Sequence, residues 1–333
     1  MHLTPGDRNL LTDVPGFWVG NAQDANVKTG VTVVTGPAAF TASVSVLGGA
    51  PGTRETDLLR GASLVDKADA LVLSGGSGFG LDACSGVSAA MRAQGRGFPV
   101  RDRQIPIVPG AIVYDLSSGG ATWETPPWAN LGKSAAENVG TEFEIGTVGA
   151  GTGALTAGLK GGLGSASVML EDGTTVGAIA VANAIGEVAP GPDGAFWAGT
   201  WELGAEFGGR GPARAPARAL RTKGDMLENT TIAVVATDAA LGKVECERVA
   251  IMAHAGIARA VAPSHSPFDG DLVFAAASAQ RTLRDARAVL EIGHAAATCL
   301  ARAIARGVYA ATPAAGDPFP TWSETHMLKG SDT

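Results

Sequence analysis

A mixed α+β fold is the class that the sequence predicts, and three observations indicate it. Short β-rich runs follow one another near the N-terminus, at 14–19, 30–34 and 40–47, with no helical pattern between them. A fold of alternating strands and helices would place a helix after each strand. Helical spacing first occurs at 81–94, and a long helical pattern with small residues covers 283–304. We therefore expect helices packed on a sheet that is built largely from consecutive strands.

The composition describes a globular chain with a sizeable core. The 333 residues are 45% hydrophobic and include 47 glycines, which favours close-packed layers and tight turns. The net charge of −7 disfavours a nucleic-acid partner, because phosphate binding depends on accumulated Lys and Arg. No apolar run reaches the roughly 18 residues of a membrane span, and Met1–Asp13 lacks a signal-peptide core. We expect a soluble, cytoplasmic protein without a membrane partner.

Three cysteines are far apart in apolar segments: Cys84, Cys246 and Cys299. Their odd number and their spacing favour buried thiols over disulfides or a metal cluster. This pattern also fits a reducing cytoplasm.

The central feature is the junction of a linker and a strand at Asn229-Thr230. A segment rich in Gly, Pro and basic residues, 206–229, reads as a flexible linker, and its basic cluster as a solvated tether. The β-branched run 230–235 follows as a strand that enters the core. A threonine hydroxyl after a severable peptide is the expected place for an N-terminal nucleophile. The alternative is that Thr230-Thr231 only begins a strand.

A glycine-rich turn joins a buried strand, 68–73, to the helix at 81–94. Its residues Gly78–Ala83 fit the pattern G-x-G-x-x-A, which predicts a nucleotide-binding oxidoreductase as one alternative. The preceding strands do not alternate with helices, so a close-packed turn that lines a substrate pocket is favoured. The pocket residues predicted from this turn are Gly76, Ser77 and Gly78.

Other polar residues are candidates for catalytic or substrate-binding roles because of their positions in loops and at strand ends. Lys160 lies in a glycine loop, and it is either a surface lysine or a site residue. Asn183 ends a strand, where an amide forms a turn or stabilises an oxyanion. Asp269-Gly270-Asp271 precedes another strand, and its carboxylates are either part of a turn or able to hold an amine and orient a hydroxyl.

Over residues 9–312 the chain resembles the self-processing L-aminopeptidase/D-esterase family. This family includes the β-aminopeptidases and the endo-type 6-aminohexanoate-oligomer (nylon-oligomer) hydrolases. The motifs that carry the resemblance occur in the family's order: Leu11–Gly16, Thr29–Val33, Gly49–Asp57, Gly75–Ala83, Pro106–Pro109, Asn229–Thr231 and Asp269–Asp271.

The resemblance implies a four-layer αββα sandwich of the N-terminal-nucleophile-hydrolase type. It implies that residues 1–333 form a single domain that cuts itself into 1–229, the alpha chain, and 230–333, the beta chain. The two chains would remain associated, in a homo-oligomer that is a tetramer of processed units. The expected activity is hydrolysis of small amides or peptides, of the aminopeptidase or 6-aminohexanoate-oligomer hydrolase type, and it needs neither a metal nor a cofactor.

The family's functional residues transfer to matching positions of this sequence. Thr230 corresponds to the nucleophile, with its freed α-amine as general base, and Asn229 to the residue before the cut. The remaining matches are pocket residues and the acidic pair of the nylon-oligomer branch: Tyr114, Lys160, Asn183, Asp269 and Asp271. The aminopeptidase branch has a serine nucleophile, and a serine and a glutamate in place of the two aspartates. The sequence departs from that branch at all three positions.

Two further alternatives remain open from the sequence. An acyltransferase of similar fold, ornithine acetyltransferase, also cuts itself before a threonine, but its usual Met-Ala-Thr-Met-Leu is replaced here by Asn229-Thr230-Thr231-Ile232. A non-catalytic binding protein would keep the fold and never cleave.

Overall fold

The structure is a computed structural model that describes residues 2–214, 218–219, 221–224 and 229–327. The α-helices within these ranges are α1 (Ala83–Ala93), α2 (Trp128–Glu137), α3 (Lys243–Ala260), α4 (Ala286–Tyr309) and α5 (Trp322–His326). The strands of the N-terminal half are β1 (Thr4–Pro5), β2 (Trp18–Asp24), β3 (Thr29–Val46), β4 (Thr53–Arg54), β5 (Lys67–Ser74), β6 (Phe98–Val100), β7 (Arg103–Ile105) and β8 (Gly110–Ile112). The later strands are β9 (Leu155–Thr156), β10 (Leu159–Lys160), β11 (Gly162–Met169), β12 (Thr175–Asn183), β13 (Thr230–Ala239) and β14 (Leu272–Arg281).

One large sheet organises the protein. Its strand order is β1-β11-β12-β13-β14-β3-β5-β8-β4, and β2 pairs with β3 outside this path. Two hairpins, β6-β7 and β9-β10, complete the strands of the described residues. β5 is antiparallel to β3 and parallel to β8. The glycine turn after β5 therefore does not stand in the alternating parallel sheet that is typical of dinucleotide-binding folds.

The long strand β3 connects the two halves of this sheet. Residues 31–35, 40 and 41 pair with β5, and residues 41–46 pair with β14. The sequence predicts two separate runs here because Gly36-Pro37 interrupts the β-rich pattern. The structure keeps one 18-residue strand, because the exposed Pro37 falls within the register shift relative to β5, where no ladder hydrogen bond is lost.

The two halves of the sheet face each other across a buried apolar layer. Side chains from both halves belong to one cluster in this layer, for example Val34, Leu71, Ile179, Ile232 and Phe274. Alternate residues of the same strands point to the outer faces. On one outer face they pack against α3 and α4, and on the other against α1 and α2. The arrangement is helix, sheet, sheet, helix, which confirms the predicted α+β four-layer sandwich.

Helix α4 lies on the sheet with unusually little space between the backbones. A Cβ atom at Gly164 of β11 would stand 1.8 Å from the carbonyl oxygen of Ala303, and one at Gly162 would stand 2.3 Å from that of Gly307. The helix begins after the N-cap Asp285, so the predicted start at 283 is too early. By length and composition α4 could cross a membrane, but 78% of its most apolar stretch is buried in the protein, so it is a core helix.

The predicted linker, 206–229, begins with residues that belong to the core, so its N-terminal boundary is wrong. The carboxylate of Glu206 accepts a hydrogen bond of 2.6 Å from Arg302, a residue of α4 that is 0% exposed. Phe207 is buried and packs edge-on against Phe196. Arg218 forms an ion pair with Glu187 at 2.6 Å, which a solvated tether would not do. Residues 215–217, 220 and 225–228 of this segment lie outside the described residues.

The contact between β11 and α4 predicts how glycine substitutions affect stability. Gly164→Ala should lower the free energy of unfolding by about 1–3 kcal/mol, because the new methyl group forces α4 away from the sheet. Gly78→Ala is the matched control, since a Cβ atom there meets no atom within 4 Å, and it should change stability by less than about 0.5 kcal/mol. Urea unfolding measures both, and equal midpoints for the two variants would contradict the close packing.

Candidate active site

Thr230 stands where a central strand enters the core. The β-branched residues that follow favour the extended backbone, and all ten residues of β13 are buried. β13 is antiparallel to β12, with Thr230 opposite Asn183, and parallel to β14. The Thr230 hydroxyl donates a 2.5 Å hydrogen bond to the carbonyl oxygen of Asn229. The hydroxyl is thus held against the carbonyl group that precedes it in the chain.

The Asp-Gly-Asp segment (269–271) holds the backbone around Thr230. Asn229 and Asp269 form an isolated parallel bridge. The Gly270 N–H donates to the carbonyl oxygen of Asn229 at 2.8 Å, and Asp271 Oδ1 accepts the Thr231 N–H at 2.7 Å. A backbone donor at this carbonyl is placed to stabilise negative charge that develops on its oxygen.

Glycine is required at the middle of this segment for a steric reason. A Cβ atom at residue 270 would lie 2.7 Å from Thr230 Oγ and 2.9 Å from the carbonyl oxygen of Ala50. Both distances are shorter than a carbon atom tolerates, so a side chain would displace the hydroxyl or the neighbouring loop. The residue between the two aspartates is therefore set by the close approach to Thr230.

The two carboxylates of the segment have different surroundings. Asp269 accepts the Ser266 N–H at 2.7 Å, and burial, with the charge of Asp271 as a second cause, raises its pKa. Asp271 Oδ2 accepts the backbone N–H of His265 at 3.1 Å, and the imidazole Nδ1 of His265 is 2.9 Å away. Burial opposes the charged imidazole, but the Asp271 carboxylate outweighs it and raises the pKa of His265.

Asn183 lies beside Thr230 with its amide oriented by several contacts. Residues directly opposite in an antiparallel pair place their side chains on the same face, so Asn183 and Thr230 are neighbours. The Asn183 Oδ1 accepts hydrogen bonds from the Leu155 N–H and from Lys223 Nζ, each at 3.0 Å. The Nδ2 group donates to the Tyr114 carbonyl oxygen at 3.2 Å. Because Nδ2 carries two hydrogens, this contact uses only one of them.

Lys160 is a buried, ion-paired residue and not a surface lysine. Its side chain is 2% exposed, and its Nζ donates to Asp317 at 2.6 Å. Asp317 also pairs with Lys28 at 2.7 Å. Burial opposes the charged carboxylate, but the hydrogen bonds from both lysines outweigh it and lower the pKa of Asp317. In the β9-β10 hairpin Lys160 is opposite Leu155, and the Leu155 N–H donates to Asn183. Lys160 is thus connected to Asn183, the neighbour of Thr230, through the backbone of Leu155.

A cavity of about 170 Å³ opens onto Thr230. The predicted pocket residues Ser77 and Tyr114 line it, as do Asn229 and Thr230. The apolar side chains of the lining are Ala50, Ile112 and Phe268. The Tyr114 hydroxyl is 2.9 Å from the Ser117 hydroxyl. The cavity therefore combines the threonine hydroxyl with a largely apolar wall.

The glycine turn shapes this cavity from one side. Gly76 has a left-handed backbone (φ 85°), and a Cβ atom there would collide with Trp128. Its N–H donates to Asp115 Oδ1 at 2.7 Å, and burial raises the pKa of Asp115 to about 7. Gly78, by contrast, has open space at its Cβ position. Of the three predicted pocket residues in the turn, Ser77 lines the cavity, Gly76 supports the turn, and Gly78 shows no contact role.

The structure thus brings together most of the residues predicted for the site. The exceptions are Lys160, whose described charge partner is Asp317, and Gly78, which shows no contact role. Contributors that were not predicted include the N–H of Gly270, His265 and Lys223, and the partner of Lys160, Asp317, was not predicted either. Gly270 belongs to the Asp-Gly-Asp motif, so only the role of its backbone N–H was missed, whereas His265 lies four residues before Asp269. Asp317 is 157 residues from Lys160, and no local pattern connects the two.

Comparisons with known proteins agree with this geometry. The sequence profile of peptidase family S58 matches residues 9–318. An uncharacterised aminopeptidase of Mycobacterium tuberculosis (strain ATCC 25618 / H37Rv) is 43% identical over 335 aligned positions, which cover 93% of this chain and 96% of the relative. A 6-aminohexanoate-oligomer endohydrolase of Paenarthrobacter ureafaciens is 31% identical over 287 positions, with 81% of this chain and 75% of the relative covered.

Solved structures show the same fold at lower identity. A β-aminopeptidase of a Burkholderia species has a TM-score of 0.71 at 23% identity and covers 99% of this chain and 95% of its own. The L-aminopeptidase D-Ala-esterase/amidase of Ochrobactrum anthropi, described as a variant of the N-terminal-nucleophile hydrolase fold, has a TM-score of 0.69 at 21% identity, with 96% and 91% covered. The chain therefore belongs to peptidase family S58, the aminopeptidases and amide hydrolases with the N-terminal-nucleophile hydrolase fold.

Proposed function

We propose that this protein is a self-processing amide hydrolase whose nucleophile is the N-terminal threonine released at Thr230. The observation that carries the proposal is the position of the Thr230 hydroxyl. It contacts the carbonyl oxygen of Asn229 at 2.5 Å, and the Gly270 N–H contacts the same oxygen at 2.8 Å. A nucleophile and an oxyanion donor therefore converge on one peptide bond.

Self-cleavage follows from this geometry in two steps. The Thr230 hydroxyl oxygen attacks the Asn229 carbonyl carbon and loses its proton, and the developing oxyanion is stabilised by the Gly270 N–H. The C–N bond then breaks, the nitrogen takes up a proton, and an ester joins Asn229 to the threonine oxygen. Water hydrolyses this ester, which leaves a carboxylate on Asn229 and a free α-amine and hydroxyl on Thr230.

The mature site would use the same hydroxyl on a substrate amide. The freed α-amine, with an ordinary pKa near ~8, accepts the hydroxyl proton and returns it to the leaving amine. Asp269 and Asp271 hold the amine, and the Asn183 Nδ2 group stabilises the substrate oxyanion. The acyl group is then transferred from Thr230 to water, which regenerates the enzyme.

The two products of cleavage are expected to stay together. The central strand β13 of the C-terminal product is hydrogen-bonded to β12 of the N-terminal product, and β14 is hydrogen-bonded to β3. Helix α4 also packs on β11. The fragments therefore share the sheet and the core, so separation would expose both.

Small amides or peptides, including oligomeric amides, are the substrate class we propose. A cavity of about 170 Å³ accepts a short segment beside the hydroxyl, and its wall includes Phe268, which is 49% exposed. The relatives support the same class by name, since they are described as aminopeptidases and as a 6-aminohexanoate-oligomer endohydrolase.

The first prediction is that the purified protein separates on a denaturing gel into fragments of 229 residues and 333 − 229 = 104 residues. N-terminal sequencing should find Thr230 at the start of the smaller fragment. Thr230→Ala should stay intact, because it removes the attacking oxygen. Thr231→Val is the matched control and should still cleave, since the Thr231 hydroxyl is buried with no hydrogen-bond partner among the described residues. A wild-type chain that stays intact after long incubation would refute the proposal.

A second prediction concerns the substrate oxyanion. Asn183→Ala in processed protein should reduce the maximal rate of amide hydrolysis by about 10²- to 10³-fold, the usual effect of losing one oxyanion donor. Steady-state assays with amino-acid p-nitroanilides and 6-aminohexanoate oligomers measure it. Asn138→Ala, which removes an exposed amide at the end of α2, is the control and should leave the rate unchanged. Wild-type rates for Asn183→Ala would remove this residue from the mechanism.

A third prediction concerns the pH dependence of the processed enzyme. A carboxylate near the Thr230 α-amine favours its charged form and raises its pKa. Asp271→Asn should therefore move the alkaline-rising limb of the pH–rate profile to lower pH. It should also lower the maximal rate, because the amine and the hydroxyl lose their alignment. Asp82→Asn changes the net charge equally at an exposed position, and it should alter neither quantity. A limb that moves upward would show that Asp271 does not face the amine.

A further inference from the structure

His265 stands in a backbone conformation that few side chains adopt. Its φ of 55° places it in the left-handed region, where Gly and Asn are much more easily accommodated than other residues. This conformation brings two groups of one residue to one oxygen: the backbone N–H, which forms a hydrogen bond, and the imidazole Nδ1, which forms an ion-pair contact without hydrogen-bond geometry. Its backbone N–H lies 3.1 Å, and its imidazole Nδ1 2.9 Å, from Asp271 Oδ2.

The second oxygen of the same carboxylate reaches the cleavage site. Asp271 Oδ1 accepts the Thr231 N–H at 2.7 Å. The position of this oxygen sets where the backbone after Thr230 lies. That backbone in turn sets how the Asn229 carbonyl meets the Gly270 N–H, which is 2.8 Å from it. A side chain that fixes the Asp271 carboxylate therefore acts on the cleaved bond without touching it.

The groups that face His265 are one neutral imidazole and two carboxylates, and the carboxylates favour the charged form of its ring. Its ring packs edge-on against His254 of α3, with 5.0 Å between ring centroids. His254 contacts the Ser45 carbonyl oxygen at 2.9 Å through Nε2, and burial lowers its pKa to about 4, so it is neutral near pH 7. The other titratable groups that face His265 are the carboxylates of Asp269 and Asp271.

We propose that His265 is a positioning residue for self-cleavage at Thr230, because its imidazole holds the Asp271 carboxylate in the orientation that receives the Thr231 N–H. This inference rests on the proposed self-cleavage. It adds His265, which lies outside the Asp-Gly-Asp segment, to the residues that act in self-cleavage. It also gives the left-handed backbone at 265 a role, which is to bring the residue's N–H and imidazole to Asp271.

Glycine and asparagine variants test the proposal without adding backbone strain. His265→Gly relaxes the left-handed conformation and removes the imidazole, whereas His265→Asn keeps an N–H donor near the position of Nδ1. Arg101→Gly is the matched control, because Arg101 also has a left-handed backbone (φ 54°) but lies at an exposed hairpin turn. The full-length chains are pulse-labelled in a cell-free translation, and the intact fraction is followed on denaturing gels.

We expect His265→Gly to slow self-cleavage by about tenfold to a hundredfold, as a small misplacement of reacting groups does. His265→Asn should cleave at close to the wild-type rate, and Arg101→Gly at the wild-type rate. Because the His265 side chain is 21% exposed, added imidazole should enter the space left in His265→Gly and restore part of the rate. A purely structural role would not predict recovery with imidazole.

Two results separate the failure of this inference from the failure of the proposed function. If wild type cleaves at Thr230 and His265→Gly cleaves at the same rate, His265 has no positioning role. The same holds if His265→Gly and His265→Asn are equally slow and imidazole recovers neither. If wild type itself never cleaves, the proposed function is wrong and the inference falls with it.

Discussion

The close approach of the Asp-Gly-Asp segment to Thr230 is the contact on which the site depends. A backbone N–H lies 2.8 Å from the Asn229 carbonyl oxygen, and this is possible only because residue 270 has no side chain. The flanking carboxylates are carried to the site by the same short segment. The same segment therefore sets the position of the Gly270 N–H and the positions of the two carboxylates, and a shift of its backbone would move all three groups. The arrangement also accounts for the glycine between two acidic residues in purely steric terms.

The four-layer fold supplies the rigidity that this approach requires. β13 lies between β12 and β14, and one face of it meets the opposite half of the sheet while the other meets α3 and α4. A strand that is buried on both faces and paired on both edges has little freedom to shift. The first residue of this strand, Thr230, is consequently held as firmly as the core itself. The small residues of β11 and α4 contribute by letting the helix lie directly on the sheet backbone.

Several buried charges among the described residues are paired across long distances in the chain. Lys160 and Lys28 share Asp317, and Arg302 binds Glu206 within the core. Removing one member of such a set leaves an uncompensated charge in a poorly solvated place, which is strongly unfavourable. These pairs connect the C-terminal segment and the predicted linker region to the body of the fold. They also explain why a lysine in a glycine-rich loop is almost fully buried.

Local patterns in the sequence were sufficient for several of the elements, but the run predicted as a strand at 14–19 becomes one only from Trp18. The strand that begins with the β-branched run at 230–235, the strand near 67–74 and the helices near 83–93 and 286–309 follow from composition and periodicity. Periodicity failed at Pro37, where a register shift in the sheet allows the strand to continue. It also failed at Glu206, whose partner Arg302 makes an apparent linker part of the core.

The sequence by itself determined that a threonine follows Asn229 at the start of a strand, and that two aspartates flank a glycine before another. Only the tertiary structure decided that these two segments meet, that the Gly270 N–H points to the Asn229 carbonyl oxygen, and that His265 Nδ1 lies 2.9 Å from Asp271 Oδ2. The physical reason is the range of the interactions. Backbone propensity and hydrophobic periodicity act between neighbours in the chain, whereas a hydrogen bond between residues some 40 positions apart depends on the register in which β13 and β14 pair.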